Sequence, residues 1–183
     1  MYAAIVFFHV VGVVGLFCAL ALEWASVRKL ALAATLEEAR AWHSLQAWLL
    51  PIGLSSTLVV LASGLYLASS SGGWAWTWVQ VAIPAMVVVA GAGGALTPLR
   101  KRAQAAIAQG AGPLSDAARA QLADKWSRAS LRFRAALLLG LVFEMTVRPD
   151  GAAAIVALGI TALLGVAASL SVGLEDPSRV AVD

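Results

Sequence analysis

Cysteine is almost missing from this chain. Cys18 is the only one in 183 residues, which rules out an internal disulfide and any metal site built on paired cysteines. Lying inside an apolar run, it reads as a small packing residue. Charge is scarce too. Only 13% of residues are Asp, Glu, Lys or Arg, about half the share of an ordinary soluble domain. Histidine occurs twice, at His9 and His43, and methionine three times, too few and too scattered for a copper relay. There is no P-loop glycine motif, no zinc-protease helix and no Gly-x-Ser-x-Gly elbow, which argues against a nucleotide hydrolase, a metalloprotease or a hidden esterase. No basic segment precedes the first apolar run and no clean cleavage pattern follows it, so that run reads as a retained helix and not a signal peptide. No internal repeat, low-complexity tract or second domain is visible.

What the chain has in abundance is apolar side chain. It is 61% hydrophobic, with a mean hydropathy of +0.84. A core of this size cannot bury that much apolar surface, so lipid must solvate much of it. Long apolar runs at 2–22, 45–68, 76–97, 130–147 and 152–172 predict an all-α, polytopic membrane bundle of about five transmembrane helices, a single domain over 1–183. Eight of the thirteen basic residues crowd into Pro98–Arg134, in and beside a predicted basic cytoplasmic loop at 98–129. Lys and Arg flanking membrane spans stay cytoplasmic. The N-terminus then lies outside and the C-terminus inside, and Arg148 is left as the one basic residue on the outer side. The sequence thus reads as a multi-pass protein of the bacterial inner membrane whose first partner is the bilayer. The net charge of +3 and pI near 9.5 do not point to nucleic acid, because the cations sit at span ends beside anionic headgroups.

Local signals refine this outline. Gly12, Gly15 and Ala19 form a small-residue stripe on the first span, and the Ala90–Ala95 run of the third is nearly bare of side chains; both permit close helix approach. Thr35 and Glu38 match a capping box, and Pro51 predicts a kink near the start of the second span. Trp74, Trp76 and Trp78 form an interfacial belt on the outer side. Pro98 is expected to end the third span. Ser115 is an N-cap for a helix from Asp116 to about Arg128, expected to run without a break into the fourth span, where Arg132 and Arg134 can snorkel to the headgroups. Arg148-Pro149-Asp150-Gly151 is the exit turn, and the tail from Gly173 reads as short and frayed.

Ionisable groups within spans are costly and count as site candidates. His9 falls about 9 Å inside the start of the first span and Glu144 about 6 Å inside the outer end of the fourth, at 1.5 Å per residue. They share a depth, so a meeting between them is expected. Glu144 also precedes Arg148 by four residues, the favoured order for a helical ion pair. The bland account of Glu144 is that pair, and of His9 a core histidine bonded to a carbonyl or hydroxyl. The functional account has His9 ligating a haem iron or metal, or shuttling a proton. His43, between Trp42 and Trp48 at the opposite interface, reads as an anchor and lies too far away to share a haem with His9.

Four short motifs carry a resemblance. They are His9-Val10-Val11-Gly12, Ser63-Gly64-Leu65-Tyr66, Pro98-Leu99-Arg100, and Met145-Thr146-Val147-Arg148-Pro149. Together they resemble small bacterial integral membrane proteins of unknown function that are similar to the copper-resistance D membrane domain and, more distantly, to HemJ-type protoporphyrinogen oxidases. The resemblance implies that His9 serves haem or metal. The HemJ-type proteins also rely on a membrane lysine, and no span here contains one, which argues against that oxidase chemistry. Three readings stay open. The first is a non-catalytic or accessory subunit, partnered with other membrane subunits or with itself through the glycine-rich faces of spans one, three and five. The second is a haem b protein with His9 as ligand and Glu144 and Arg148 near a propionate or proton path. The third is a transporter of metal or small solute, for which the spans offer only Ser55, Ser56, Thr57 and Glu144 as polar lining.

Overall fold

The computed structural model describes residues 1–108, 110–122 and 124–171. The elements run α1 (Tyr2–Leu32), α2 (Leu36–Leu45), α3 (Leu49–Ser71), α4 (Thr77–Gly94), α5 (Thr97–Ile107), α6 (Asp116–Leu122), α7 (Lys125–Val147) and α8 (Ala152–Ser171), with 3-10 turns at Gln46–Trp48 and Gly73–Ala75. The chain is an all-α bundle, with no strand among the described residues. Four segments are long and apolar enough to cross a membrane: Tyr2–Leu32, Leu36–Ser71, Thr77–Ile107 and Ala152–Ser171. α7 has 23 residues, enough to span, but Arg132, Arg134 and Glu144 lower its apolar character.

Burial is inverted relative to a water-soluble domain. Phe7, Leu58, Leu163 and Leu170 are exposed, whereas Glu23, Ser26 and Glu144 are buried. An apolar rim, with the few polar side chains of the spans turned inward, suits a lipid solvent, in which the helical backbone satisfies itself.

Two tight helix pairs make the frame. α1 lies along α3 because Gly12 and Gly15 face it; a Cβ on Gly12 would come within 2.8 Å of Val60 Cγ2. α7 lies along α8 through Gly140, where a Cβ would meet the Thr161 side chain with its Cβ at 2.9 Å, and through Gly165, which faces Ala136 and Phe133. α4 joins the pairs. Leu16, Val60, Ala85, Met86, Val89, Leu137, Leu138 and Leu141 form the shared core. Missing side chains let the axes approach, and packing then supplies the attraction that lipid cannot.

At one end, the expected basic loop is a folded cap. Leu30, Ala33, Ala39, Ile107, Leu114, Ala118 and Leu122 form a second core. The Thr35 hydroxyl accepts from Glu38 N–H at 3.2 Å, as the capping box predicts, and Glu38 Oε2 reaches back to Ala34 N–H at 3.0 Å, one residue before the cap. Arg40 ties the cap shut by donating to the carbonyls of Ile107 and Gly110.

Several boundaries differ from expectation. α1 continues past residue 22 to Leu32 because its last turns bury Ser26, Val27 and Leu30 against the cap. α4 stops at Gly94, and Pro98 opens α5 instead of closing the third span; proline suits a first turn, where its missing N–H has no helical partner. Pro51 falls in the first turn of α3, after the 3-10 turn, and the interior proline is Pro84 in α4. The helix from Asp116 ends at Leu122, with Ser115 Oγ accepting from Ala118 N–H at 3.2 Å. Asp124 then caps a new helix, accepting from Ser127 N–H at 2.8 Å, so α6 and α7 are separate. The tail from Gly173 lies outside the described residues.

A buried charge cluster joins cap to bundle. Glu23 of α1 is 3% exposed. Its Oε1 lies 2.6 Å from Arg100 Nη2 of α5, and its Oε2 lies 2.7 Å from Arg134 Nη2 of α7. Removing one member of a buried ion cluster strands the others. Glu23→Ala is therefore expected to cost about 3–5 kcal/mol, read as a lowered unfolding midpoint in detergent. Gly140→Val is expected to push α8 off α7 and destabilise the bundle; adding Thr161→Ala should recover part of the loss. Equal stability of the single and double variants would contradict the close contact.

Candidate functional site

At the end of the bundle away from the cap, α1, α3, α4 and α7 line a cavity of about 450 Å³. Pockets of roughly 300–1,000 Å³ lined by apolar groups with a few convergent polar ones are the usual form of a small-molecule site. The walls include Val13, Leu61, Ala82, Met86 and Leu141; the polar groups are His9, Ser71, Thr146, Arg148 and the Trp76–Trp78 pair. Those two indoles are stacked, with centroids 5.9 Å apart.

His9 is the deepest of these polar groups with a defined orientation. Its Nδ1 lies 2.9 Å from Ser63 Oγ. That hydroxyl, at its helical position on α3, donates to the carbonyl of Val59. Nε2 faces Met145 Sδ at 3.2 Å, so each ring nitrogen has a polar neighbour, and whichever nitrogen carries the hydrogen donates while the other accepts. Gly64 leaves room for the ring: a Cβ there would sit 3.2 Å from His9 Cε1. His9 is therefore an imidazole held in a fixed orientation in the cavity wall.

Glu144 does not join it. The carboxyl is fully buried, 0% exposed, and neither oxygen has a hydrogen-bond partner. The residue is absent from the cavity lining. Its stripe on α7 is the one that carries Phe133, Ala136 and Gly140 toward α8, whereas Met145 sits on the stripe facing α1. The side-chain pair with Arg148 is not formed either. Arg148 adopts φ 53°, ψ 54° and caps α7, its N–H bonding the Glu144 carbonyl at 2.9 Å. A residue in that conformation has left the helical stripe, so the four-residue spacing no longer brings the side chains together. Arg148 instead lines the cavity. His43 lies at the cap end, with Nε2 3.4 Å from the Arg100 carbonyl.

Met145 is the neighbour of His9 that sequence reasoning passed over. It stands inside one of the four motifs, but a contact between residues 136 apart leaves no local signal. No family model, curated protein or solved structure matches the chain. The site stands on its own geometry.

That geometry tests the haem expectation. An iron between His9 and Met145 as opposed axial ligands needs nitrogen and sulfur about 4.3 Å apart, from metal distances of about 2.0 and 2.3 Å. The two atoms are 3.2 Å apart, and the core residues Leu16, Leu138 and Leu141 pack between the same helices. A haem held between His9 and Met145 as opposed axial ligands does not fit this packing. Among the described residues, no group of three or more His, Cys, Asp or Glu is placed to hold a metal ion.

Glu144 has a plain energetic consequence. A buried polar group without a partner costs about 1–3 kcal/mol, so Glu144→Leu is expected to raise the unfolding midpoint. A lowered midpoint would mean that the carboxyl has a partner in the working protein.

Proposed function

We propose that this chain is a non-enzymatic, multi-pass protein of the bacterial inner membrane that binds an apolar small molecule in the cavity at the His9 end. The basic cap faces the cytoplasm and the cavity faces the outer half of the bilayer; the cluster of Lys and Arg residues around the cap supports that orientation. The observation that carries the reading is the His9 imidazole. Ser63 and Met145 hold its two nitrogens in place in a largely apolar wall. A polar group fixed among apolar side chains in a pocket is a natural anchor for a ligand. The apolar walls supply affinity and the imidazole supplies orientation.

The accessory-subunit reading draws less support. Gly12, Gly15, Gly140 and Gly165 are occupied by neighbours from the same chain, so the first-span stripe is used up, whereas a Cβ on Gly91, Gly94 or Gly159 would meet nothing within 4 Å and those positions stay open to a partner. A transport path also lacks lining: the buried Ser56 hydroxyl packs on Gly15, and Glu144 sits away from the cavity.

Purified protein in nanodiscs, extracted and analysed by mass spectrometry beside its absorption spectrum, tests the proposal. The wild type is expected to carry an apolar compound near one equivalent or to take up an apolar probe saturably. Ala82→Phe, which fills the cavity, should abolish uptake, and His9→Ala should weaken it about tenfold with insertion intact, the worth of about 1.4 kcal/mol for one anchoring hydrogen bond. A wild type that holds nothing and takes up no probe would sink it.

A further inference from the structure

Arg148 stands out at the cavity mouth on two independent grounds. The first is charge placement. If the basic residues follow the membrane rule, Arg148 is the single Lys or Arg among the described residues at the outer end, where those side chains are disfavoured. The second is backbone conformation. Arg148 is the one non-glycine residue with positive φ among the described residues. It occupies the left-handed C-cap of α7, a position that glycine fills without strain. Gly72 does so at the end of α3. An observed outlier of this kind is a reason to look for function.

Among the described residues the side chain has no countercharge within ion-pair distance. Glu144 gives it only a backbone carbonyl, and neither Glu144 oxygen has a partner. Arg148 is exposed and lines the same cavity as His9. Aromatic and hydroxyl groups line that cavity too: Trp76, Trp78, Tyr2, Ser71 and Thr146. An apolar chamber with one uncommitted guanidinium at its rim fits a molecule with an apolar tail and a single acidic head. Guanidinium and carboxylate meet through two parallel hydrogen bonds, a match that few other side chains offer.

We infer that the ligand is a single-chain amphiphile with a carboxylate head, a long-chain carboxylic acid, and that Arg148 holds the head at the mouth while the chain fills the cavity toward His9. The inference rests on the cavity-binding proposal above. One chain is favoured over a two-chain phospholipid because the chamber is about 450 Å³, in the lower half of the range for small-molecule pockets.

The test uses dibromostearic acid and its methyl ester, whose bromines quench nearby tryptophan, with protein in phosphatidylcholine nanodiscs. Trp76 and Trp78 are the reporters, confirmed by loss of quenching in the Trp76→Phe, Trp78→Phe double variant. Wild-type protein is expected to bind the acid at least tenfold more tightly than the ester. Arg148→Gln should remove that preference by weakening the acid alone. Arg148→Gly should do the same while unfolding at a higher temperature, because glycine suits the left-handed cap; that separates lost binding from lost fold. Equal affinity for acid and ester in the wild type, or an unchanged preference in both variants, would overturn the head-group assignment and leave the cavity proposal standing. Displacement of the acid by phosphatidylglycerol at equal concentration would overturn the single-chain assignment. Failure of acid and ester alike to bind would remove the cavity proposal itself.

Discussion

Glu23 is gripped from two sides, by Arg100 from the start of α5 and by Arg134 from the middle of the most enclosed helix. Without that carboxylate, Arg134 would be a guanidinium 8% exposed in an apolar bundle, a group that costs several kcal/mol to desolvate unpaired. With it, α7 can carry arginine inside and still pack against α1, α4 and α8. The cluster also determines where α5 lies. A Cβ on Gly91 or Gly94, just before the α4–α5 break, would meet nothing within 4 Å, and α5 beyond the break is held by Arg100 on Glu23 and by Ile107 in the cap core.

The same cluster accounts for the asymmetry of the molecule. At the cap end, the Glu23–Arg134 ion pair binds α1 to α7, and a second apolar core binds α1 to α2, α5 and α6. At the other end the pairs meet through His9 and Met145, an imidazole nitrogen against a thioether. The space beside that contact is the cavity. A molecule locked at one end and loosely closed at the other has its binding chamber where the backbone is least constrained, and that is where low-stability, ligand-adaptable regions are found in general.

How legible all this was depended on whether the signal was local. Four spans follow from runs of apolar residues, and the capping box at Thr35 and Glu38 follows from four consecutive positions. α7 was legible through its length and the basic residues at its inner end, although its charges pull its hydropathy down; what could not be read was that Arg134 is paired, because Glu23 lies over a hundred residues earlier. The misread boundaries have local causes that cut both ways. Proline at 98 is compatible with ending a helix or starting one, and the choice fell to the turn at Gly94–Thr97. Asp124 is a good cap, but nothing near it breaks a helix outright.

The Glu144–Arg148 expectation failed for a sharper reason. A four-residue spacing brings side chains together only while both residues are helical, and the helix stops at Val147. Once Arg148 turns left-handed, each group is released to a different task. The carboxyl stays on the stripe toward α8, and the guanidinium swings to the cavity rim. The candidate site was therefore half visible. His9 and Glu144 were singled out as ionisable groups out of place in lipid, and Arg148 as the one basic residue on the outer side, which are properties of single residues. Their neighbours Ser63 and Met145, and the exclusion of Glu144, are properties of the packing, and only the helix pairs at Gly12 and Gly140 bring them about. Those glycines draw the helices of each pair together, and the space between the pairs at the His9 end is lined by apolar side chains with His9 and Arg148 among them.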